Sequence, residues 1–258
     1  MNYFKRYLRI APLSHALWRA CEARSIQNLK LKRPVLDLGC GFGEFAGVFY
    51  ESSIEVGVDN SHLDIEKASN IGKYKKLMLA DARYMPFKDG SFRTVISISV
   101  IEHIPKTPEV LREVYRVLSK GGQFVFTTPR KNFTRLLFYP RLLRLLRLES
   151  LAEIYEKGIN KVFKHYSLYE EEEWEKLLSK AGFSIKKLES NIGEEIAVLW
   201  DLGLIFALPS QLFKMIFGKR LVLNWKLRVD LLNYFFYKFT KRIRGKACNL
   251  LIVAVKPN

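Results

Sequence analysis

Cysteine is scarce in this chain: Cys21, Cys40 and Cys248 are all it has in 258 residues, far apart and without CxxC spacing. That argues against a disulfide framework and against a cysteine zinc site, and a reducing, cytoplasmic setting is expected. Long apolar runs are lacking as well. The nearest, Ile196 to Phe217, is broken by Asp201, Pro209 and Lys214, so no transmembrane span is expected. The opening segment sets Arg6, Arg9 and Arg19 through its apolar residues and does not read as a secretory leader. Low-complexity linkers and internal repeats are missing too. With 48% hydrophobic and 27% charged residues the composition is that of a folded protein, which excludes wholesale disorder.

Acid is also in short supply, 26 Asp and Glu against 43 Lys and Arg, for a net charge of +17. The excess is unevenly placed. Residues 1–34 carry +7, 130–150 carry +5 and 201–246 carry +8, whereas 35–129 carry −1 and 151–200 carry −3. Three flanking pieces therefore hold the positive charge around a nearly neutral segment, and an anionic partner is expected to meet them.

What is present in that neutral segment is an alternation of strand and helix signals. Val35–Leu38, Ile54–Val58, Lys76–Ala80, Thr94–Ser99 and Gln123–Thr128 read as strands. Glu44–Tyr50 and Pro108–Leu118 read as helices between them, which predicts a parallel sheet covered on both faces. After Pro129 the character changes: leucine mixes with arginine over 135–148, a helix is expected over 170–181, and strands over 183–188 and 250–255. The organisation read from this is an N-terminal helical segment (1–34), a core (35–129), a lid and sheet-completing segment (130–189), an apolar basic insertion (190–244) and a last strand (245–258).

The chemistry is carried by Val35-Leu-Asp-Leu-Gly-Cys-Gly-Phe-Gly-Glu-Phe45. A glycine-rich turn after a first strand lets a ligand approach the backbone at the carboxyl ends of the strands. Its GxGxG spacing, with Asp37 just before, suits an ammonium group better than a pyrophosphate. A tight turn with no ligand is the plain alternative. Three strand ends weigh against that alternative: Asp59, where a carboxylate can accept both ribose hydroxyls; Asp81, where one can accept from an adenine amino group; and Glu102-His103 after the fourth strand.

Taken together, VLDLGCGFGEF, VGVDNS, LADARYMPFKDGSFRTVISISVIEHI and EVLREVYRVLSKGGQFVFTTP resemble class I S-adenosyl-L-methionine-dependent methyltransferases. The nearest look is to the broad group related to ubiquinone and menaquinone biosynthetic enzymes. The resemblance covers residues 12–129 well and returns weakly at 165–188 and 245–258. It implies an α/β, Rossmann-like seven-stranded sheet, mostly parallel with the last strand antiparallel, under a helical cap formed by 130–165 and 190–244. It further implies S-adenosyl-L-methionine as cofactor. Gly39, Cys40 and Gly41 would meet its methionine part, with Asp37 beneath the amino group. Asp59 and Asn60 would hold the ribose, Asp81 and Ala82 the adenine edge, and Ser97 with Ser99 the floor near the sulfonium. Arg19 in the N-terminal helix would pair with the cofactor carboxylate; a solvated arginine is the plain alternative.

An acceptor that must lose a proton needs a base, and Glu102, His103 and His165 are the candidates. Some similar enzymes hold a divalent metal through ExxEH; here the motif is Ser99-x-x-Glu102-His103, one carboxylate short, and no metal is expected. Within 221–243, Val222, Trp225, Val229, Leu232, Phe236, Phe239 and Ile243 recur at spacings of three and four, flanked by Lys226, Arg228, Lys238, Lys241 and Arg242. Such a stripe suits a helix lying on an anionic membrane surface; equally, it suits packing within a lid. Pro209 in the apolar stretch fits a helical hairpin. The expected function is methyl transfer to oxygen or carbon of a hydrophobic or lipid-linked acceptor, with the protein peripheral at the inner membrane face. The competing readings are a soluble small-molecule or nucleic-acid methyltransferase and a non-catalytic S-adenosylmethionine-binding protein. Nucleic acid is disfavoured, because the basic residues are interleaved with large apolar ones and no RNA-binding motif occurs.

Overall fold

The computed structural model describes residues 1–217, 222 and 225–258. Among them the strands are β1 (Val35–Leu38), β2 (Ile54–Asp59), β3 (Tyr74–Leu79), β4 (Phe92–Ile98), β5 (Leu118–Pro129), β6 (Ser184–Gly193) and β7 (Ala247–Val255). The helices are α1 (Tyr3–Leu8), α2 (Leu13–Ile26), α3 (Glu44–Phe49), α4 (His62–Ser69) and α5 (Thr107–Val117). They continue with α6 (Phe138–Leu145), α7 (Glu149–Val162), α8 (Glu171–Lys180), α9 (Glu194–Phe217) and α10 (Lys226–Phe236).

The strands form one sheet in the order β3-β2-β1-β4-β5-β7-β6. The first five run parallel, and β7 is antiparallel to both β5 and β6, as the family resemblance implied for the last strand. Strand position follows from composition. All four residues of β1, three apolar ones and Asp37, are buried, which suits a strand in a sheet covered on both faces. At one edge β3 carries Lys75 and Lys76, and at the other β6 carries Lys186 and Lys187, charges that discourage further strand pairing. Register in the centre is set by Leu36 opposite both Val56 and Val95.

The chain divides into two compact units, each gathered from separated segments. The sheet unit is 28–131, 164–189 and 250–258. Its core joins Leu36, Val58, Val95, Phe124 and Ile252 of the sheet to Val110, Leu111 and Val114 of α5 and Trp174 and Leu178 of α8. These helical residues recur at three and four, so each helix turns one apolar face to the sheet. The start of α8 is fixed by a reciprocal capping pair: the Glu170 side chain accepts from the Glu173 backbone, and Glu173 accepts from the Glu170 backbone.

The helical unit is 1–27, 132–163 and 190–249. Phe4, Tyr7, Leu8 and Leu17 are fully buried in it, and Trp18 packs edge-on to Phe133 and against Trp200, with ring centroids 6.3 and 5.9 Å apart. A buried carboxylate, Asp201, is satisfied there by the Tyr155 hydroxyl at 2.6 Å and the Tyr139 backbone N–H at 3.0 Å.

Two expectations change here. The helical hairpin expected at Pro209 is instead one helix, α9, which runs through the proline. A proline removes a single N–H and crowds one carbonyl, which a long helix can tolerate. The stripe over 221–243 is not one helix: α10 ends at Phe236 and a 3₁₀ turn follows over Tyr237–Lys241. Its portion at 221, 223 and 224 lies outside the described residues.

Candidate active site

The glycine turn follows β1 directly. Gly39 and Cys40 both donate their N–H to the Val58 carbonyl oxygen of β2, at 2.8 and 3.0 Å. Gly39 has φ +76, and a Cβ there would lie 2.3 Å from Cγ1 of Val100, so the close approach of loop and strand end requires glycine. Gly41, at φ +50, faces open space: nothing lies within 4 Å of a Cβ built on it. The loop is thus packed tightly behind and open in front, the shape a ligand-cradling turn requires.

Asp59 at the end of β2 ties this loop down. One carboxylate oxygen accepts the Gly41 N–H at 2.9 Å, and the other accepts the Ser61 N–H at 3.0 Å. Each oxygen keeps a second lone pair, so the carboxylate can still take two hydroxyl donors. Asn60 beside it is exposed. At the end of β3, Asp81 accepts from Arg83 through both carboxylate oxygens, at 3.0 and 3.1 Å from Nε, and from the Arg83 backbone N–H at 2.8 Å. The side-chain bonds to Arg83 hold the Asp81 carboxyl below the usual carboxylate range. Ala82 next to it is buried.

Other candidates sit differently from a simple ligand-facing role. Asp37 is 3% exposed, and one of its oxygens accepts the Tyr74 hydroxyl at 2.7 Å. Ser97 is fully buried and donates its hydroxyl to the Leu38 carbonyl oxygen at 2.9 Å, tying β4 to β1. Ser99 has φ +49, and its N–H points to the Thr127 hydroxyl at 3.1 Å, so it turns the chain out of β4. The Cys40 thiol is buried, and burial with Asp37 and Asp59 nearby raises its pKa strongly; it is no nucleophile. Arg19 lies in the helical unit, where Glu22 accepts from it at 2.9 Å.

The candidate base residues do come together, all in the sheet unit. A 3₁₀ turn, Ile101–His103, follows β4. Its Glu102 carbonyl oxygen accepts the N–H groups of Tyr166 and Ser167, at 2.8 and 3.2 Å, which brings the 164–167 segment alongside. There the His103 and His165 rings stack, centroids 5.3 Å apart at 16°, and a carboxylate oxygen of the buried Glu102 lies 4.0 Å from Nε2 of His103. Burial first, and His103 second, push the His165 imidazole down to about 4, so it is neutral at physiological pH.

Val100, Tyr74 and Arg83 were not singled out from the sequence. Arg83 is separated from Asp81 by one residue and could have been noticed; the approach of Val100 to Gly39, and of Tyr74 to Asp37, depends on strand register. Among the described residues no group of three or more His, Cys, Asp and Glu could hold a metal ion.

A mostly parallel sheet in this order, with a glycine turn after β1 and carboxylates at the ends of β2 and β3, is that of the class I S-adenosylmethionine-dependent methyltransferase fold. Residues 36–126 match the methyltransferase domain family, whose cofactor is S-adenosylmethionine. Similar curated proteins include the sterol 4-C-methyltransferase of Caenorhabditis elegans, 31% identical over 38% of this chain and 32% of that one. The malonyl-[acyl-carrier protein] O-methyltransferase of Legionella pneumophila is 36% identical over 40% of this chain and 39% of that one. The match therefore spans about a third of the length of these relatives. A solved S-adenosylmethionine-dependent methyltransferase from Thermotoga maritima shares the fold, with a TM-score of 0.61 at 22% identity, covering 99% of this chain and 95% of that one.

Proposed function

We propose that the protein transfers a methyl group from S-adenosylmethionine to a hydrophobic, lipid-like acceptor at a membrane surface. The observation that carries the first half is the Asp59–Gly41 arrangement. A carboxylate with spare lone pairs is held against a glycine that leaves open space, which suits a ribose above a backbone cradle. The fit extends to Asp81, whose remaining lone pairs can accept an adenine amino group beside Arg83.

The bound cofactor supplies an activated methyl on a sulfonium. The chain's own residues position the reactants and exclude water, contributions that reach several kcal/mol. The His103–His165 pair serves an acceptor that must lose a proton. With the His103 Nδ1–H directed at the Lys164 carbonyl oxygen (3.4 Å), Nε2 holds the lone pair that takes the proton, and the Glu102 carboxylate stabilises the imidazolium so formed.

For the acceptor class, two things support the reading. The relatives' names include sterols and an acyl-carrier substrate. The helical unit holds most of the exposed large hydrophobic residues together with 21 Lys and Arg against 8 Asp and Glu. Among the described residues no helix is long and apolar enough to cross a membrane, so the contact proposed is peripheral. Calorimetric titration of S-adenosylhomocysteine into wild type and Asp59→Ala tests the cofactor half; equal affinities would remove the ribose assignment. A screen of sterol, quinone and lipid-linked acceptors with labelled methyl donor tests the other half, and transfer only to soluble amines would contradict it.

A further inference from the structure

The sequence stripe of α10 is its inner face. Val229 is 3% exposed and Leu232 and Phe236 are half-buried. On the same side Asn233 accepts from the Asn2 side chain at 2.9 Å, and Arg228 on the flank donates to the Leu8 carbonyl oxygen at 2.9 Å. The helix is thus held to the N-terminal segment of its own unit. The opposite face is apolar too. Leu227, Leu231, Tyr234 and Phe235 recur at four, three and one, which puts them on one side of a helix, and all are exposed, Tyr234 to 77%. Trp225 just before the helix is 68% exposed.

The charge around this face has one sign. Residues 225–246 hold seven Lys and Arg and a single acid, Asp230, which is already engaged by Lys5 at 2.8 Å. Lys226, Lys238, Lys241 and Arg242 are exposed. Such a face offers an apolar ridge with long cationic side chains at both ends, and rings with a polar edge in Trp225 and Tyr234. A protein partner would have to be acidic and apolar together; a bilayer with anionic headgroups supplies both in layers at the matching depth.

We infer that the outer face of α10 is a membrane-docking surface, in which Leu227, Leu231, Tyr234 and Phe235 enter the headgroup boundary of an anionic bilayer while the flanking lysines meet lipid phosphates. It deepens the proposed function by naming the surface, yet binding needs neither cofactor nor acceptor. The test is co-flotation of the full chain with phosphatidylcholine vesicles and with vesicles containing phosphatidylglycerol. The comparison variant is Leu231→Glu with Phe235→Glu, two outward residues whose replacement leaves the inner face intact. The expected result is at least tenfold tighter binding to the anionic vesicles, weakening with salt, and a loss of tenfold or more in the double variant. S-adenosylhomocysteine affinity should be the same in both proteins, which shows that the variant is folded. Absence of anionic-vesicle binding by wild type, or binding unchanged in the double variant, overturns the inference. So does a wild-type dimer that the double variant converts to monomer, because a second copy would then cover the face. None of these outcomes alters cofactor binding, so failure here is distinct from failure of the methyltransferase reading.

Discussion

In the sheet unit Trp174 is fully buried, with Phe126 and Tyr169 rings 5.0 and 5.1 Å from it. In the helical unit Phe206 is 84% exposed, Leu145 80% and Tyr234 77%. Of the exposed large hydrophobics among the described residues, seventeen belong to the helical unit and five to the sheet unit. Charge divides the same way, +13 against +4. Exposed apolar side chains in that number leave apolar area in contact with water, which is unfavourable. The sheet unit keeps most of its large apolar residues inside, whereas the helical unit, beside its own buried core of Phe4, Tyr7, Leu8 and Leu17, leaves many exposed among cations.

The largest effect that would break the comparison is in the sheet core. Trp174→Ala should cost about 3–5 kcal/mol of unfolding free energy by denaturant titration; a loss comparable to that of a surface change would mean that the core is not where the structure puts it. Next, Gly39→Ala drives a Cβ toward Val100 at a positive φ. We expect a loss of about 1–3 kcal/mol, read in the same titration, and weakened cofactor binding. Asp59→Ala should weaken S-adenosylhomocysteine at least tenfold, about 1.4 kcal/mol. Because it also removes the acceptor of the Gly41 and Ser61 N–H groups, it should lower the unfolding free energy by about 1–3 kcal/mol.

His165 sharpens the comparison through pH. Its imidazole is pushed down to about 4 in the folded chain from an ordinary 6.5. The unfolded chain therefore takes up the proton first as pH falls, so this contribution is complete above about pH 6.5 and lost between there and about pH 4. His165→Phe should flatten the stability profile across that window. The smallest effect is on the helical unit's outside: Phe206→Ser should move the unfolding free energy by no more than about 0.5 kcal/mol. A large loss there would mean that Phe206 is packed rather than presented.

Much of the sheet was legible because its strands are bounded by turn residues and end in acids: Asp59 was read as a strand end and stands there, clasping Gly41. The grouping of Glu102 with His103 and His165 was foreseen only as residues near one site, since the backbone bonds from Tyr166 and Ser167 that bring them together leave no residue-type signature. At α10 periodicity left two readings open, a membrane face and packing within a lid, for a physical reason. A stripe shows that one face is apolar but not which face meets solvent, and when the opposite face is apolar as well, packing decides. At Pro209 the rule that proline ends a helix yielded to a long apolar helix that accommodates one missing hydrogen bond.

The most direct test of the account is transfer of a labelled methyl group from S-adenosylmethionine in the presence of anionic vesicles loaded with a mixed sterol, quinone and polar-lipid extract, followed by solvent partition. Label moving into the organic phase with wild type, and staying in the aqueous phase with Asp59→Ala, is the predicted result. Label that remains aqueous with a wild-type protein that binds the cofactor normally would contradict the lipid-like acceptor.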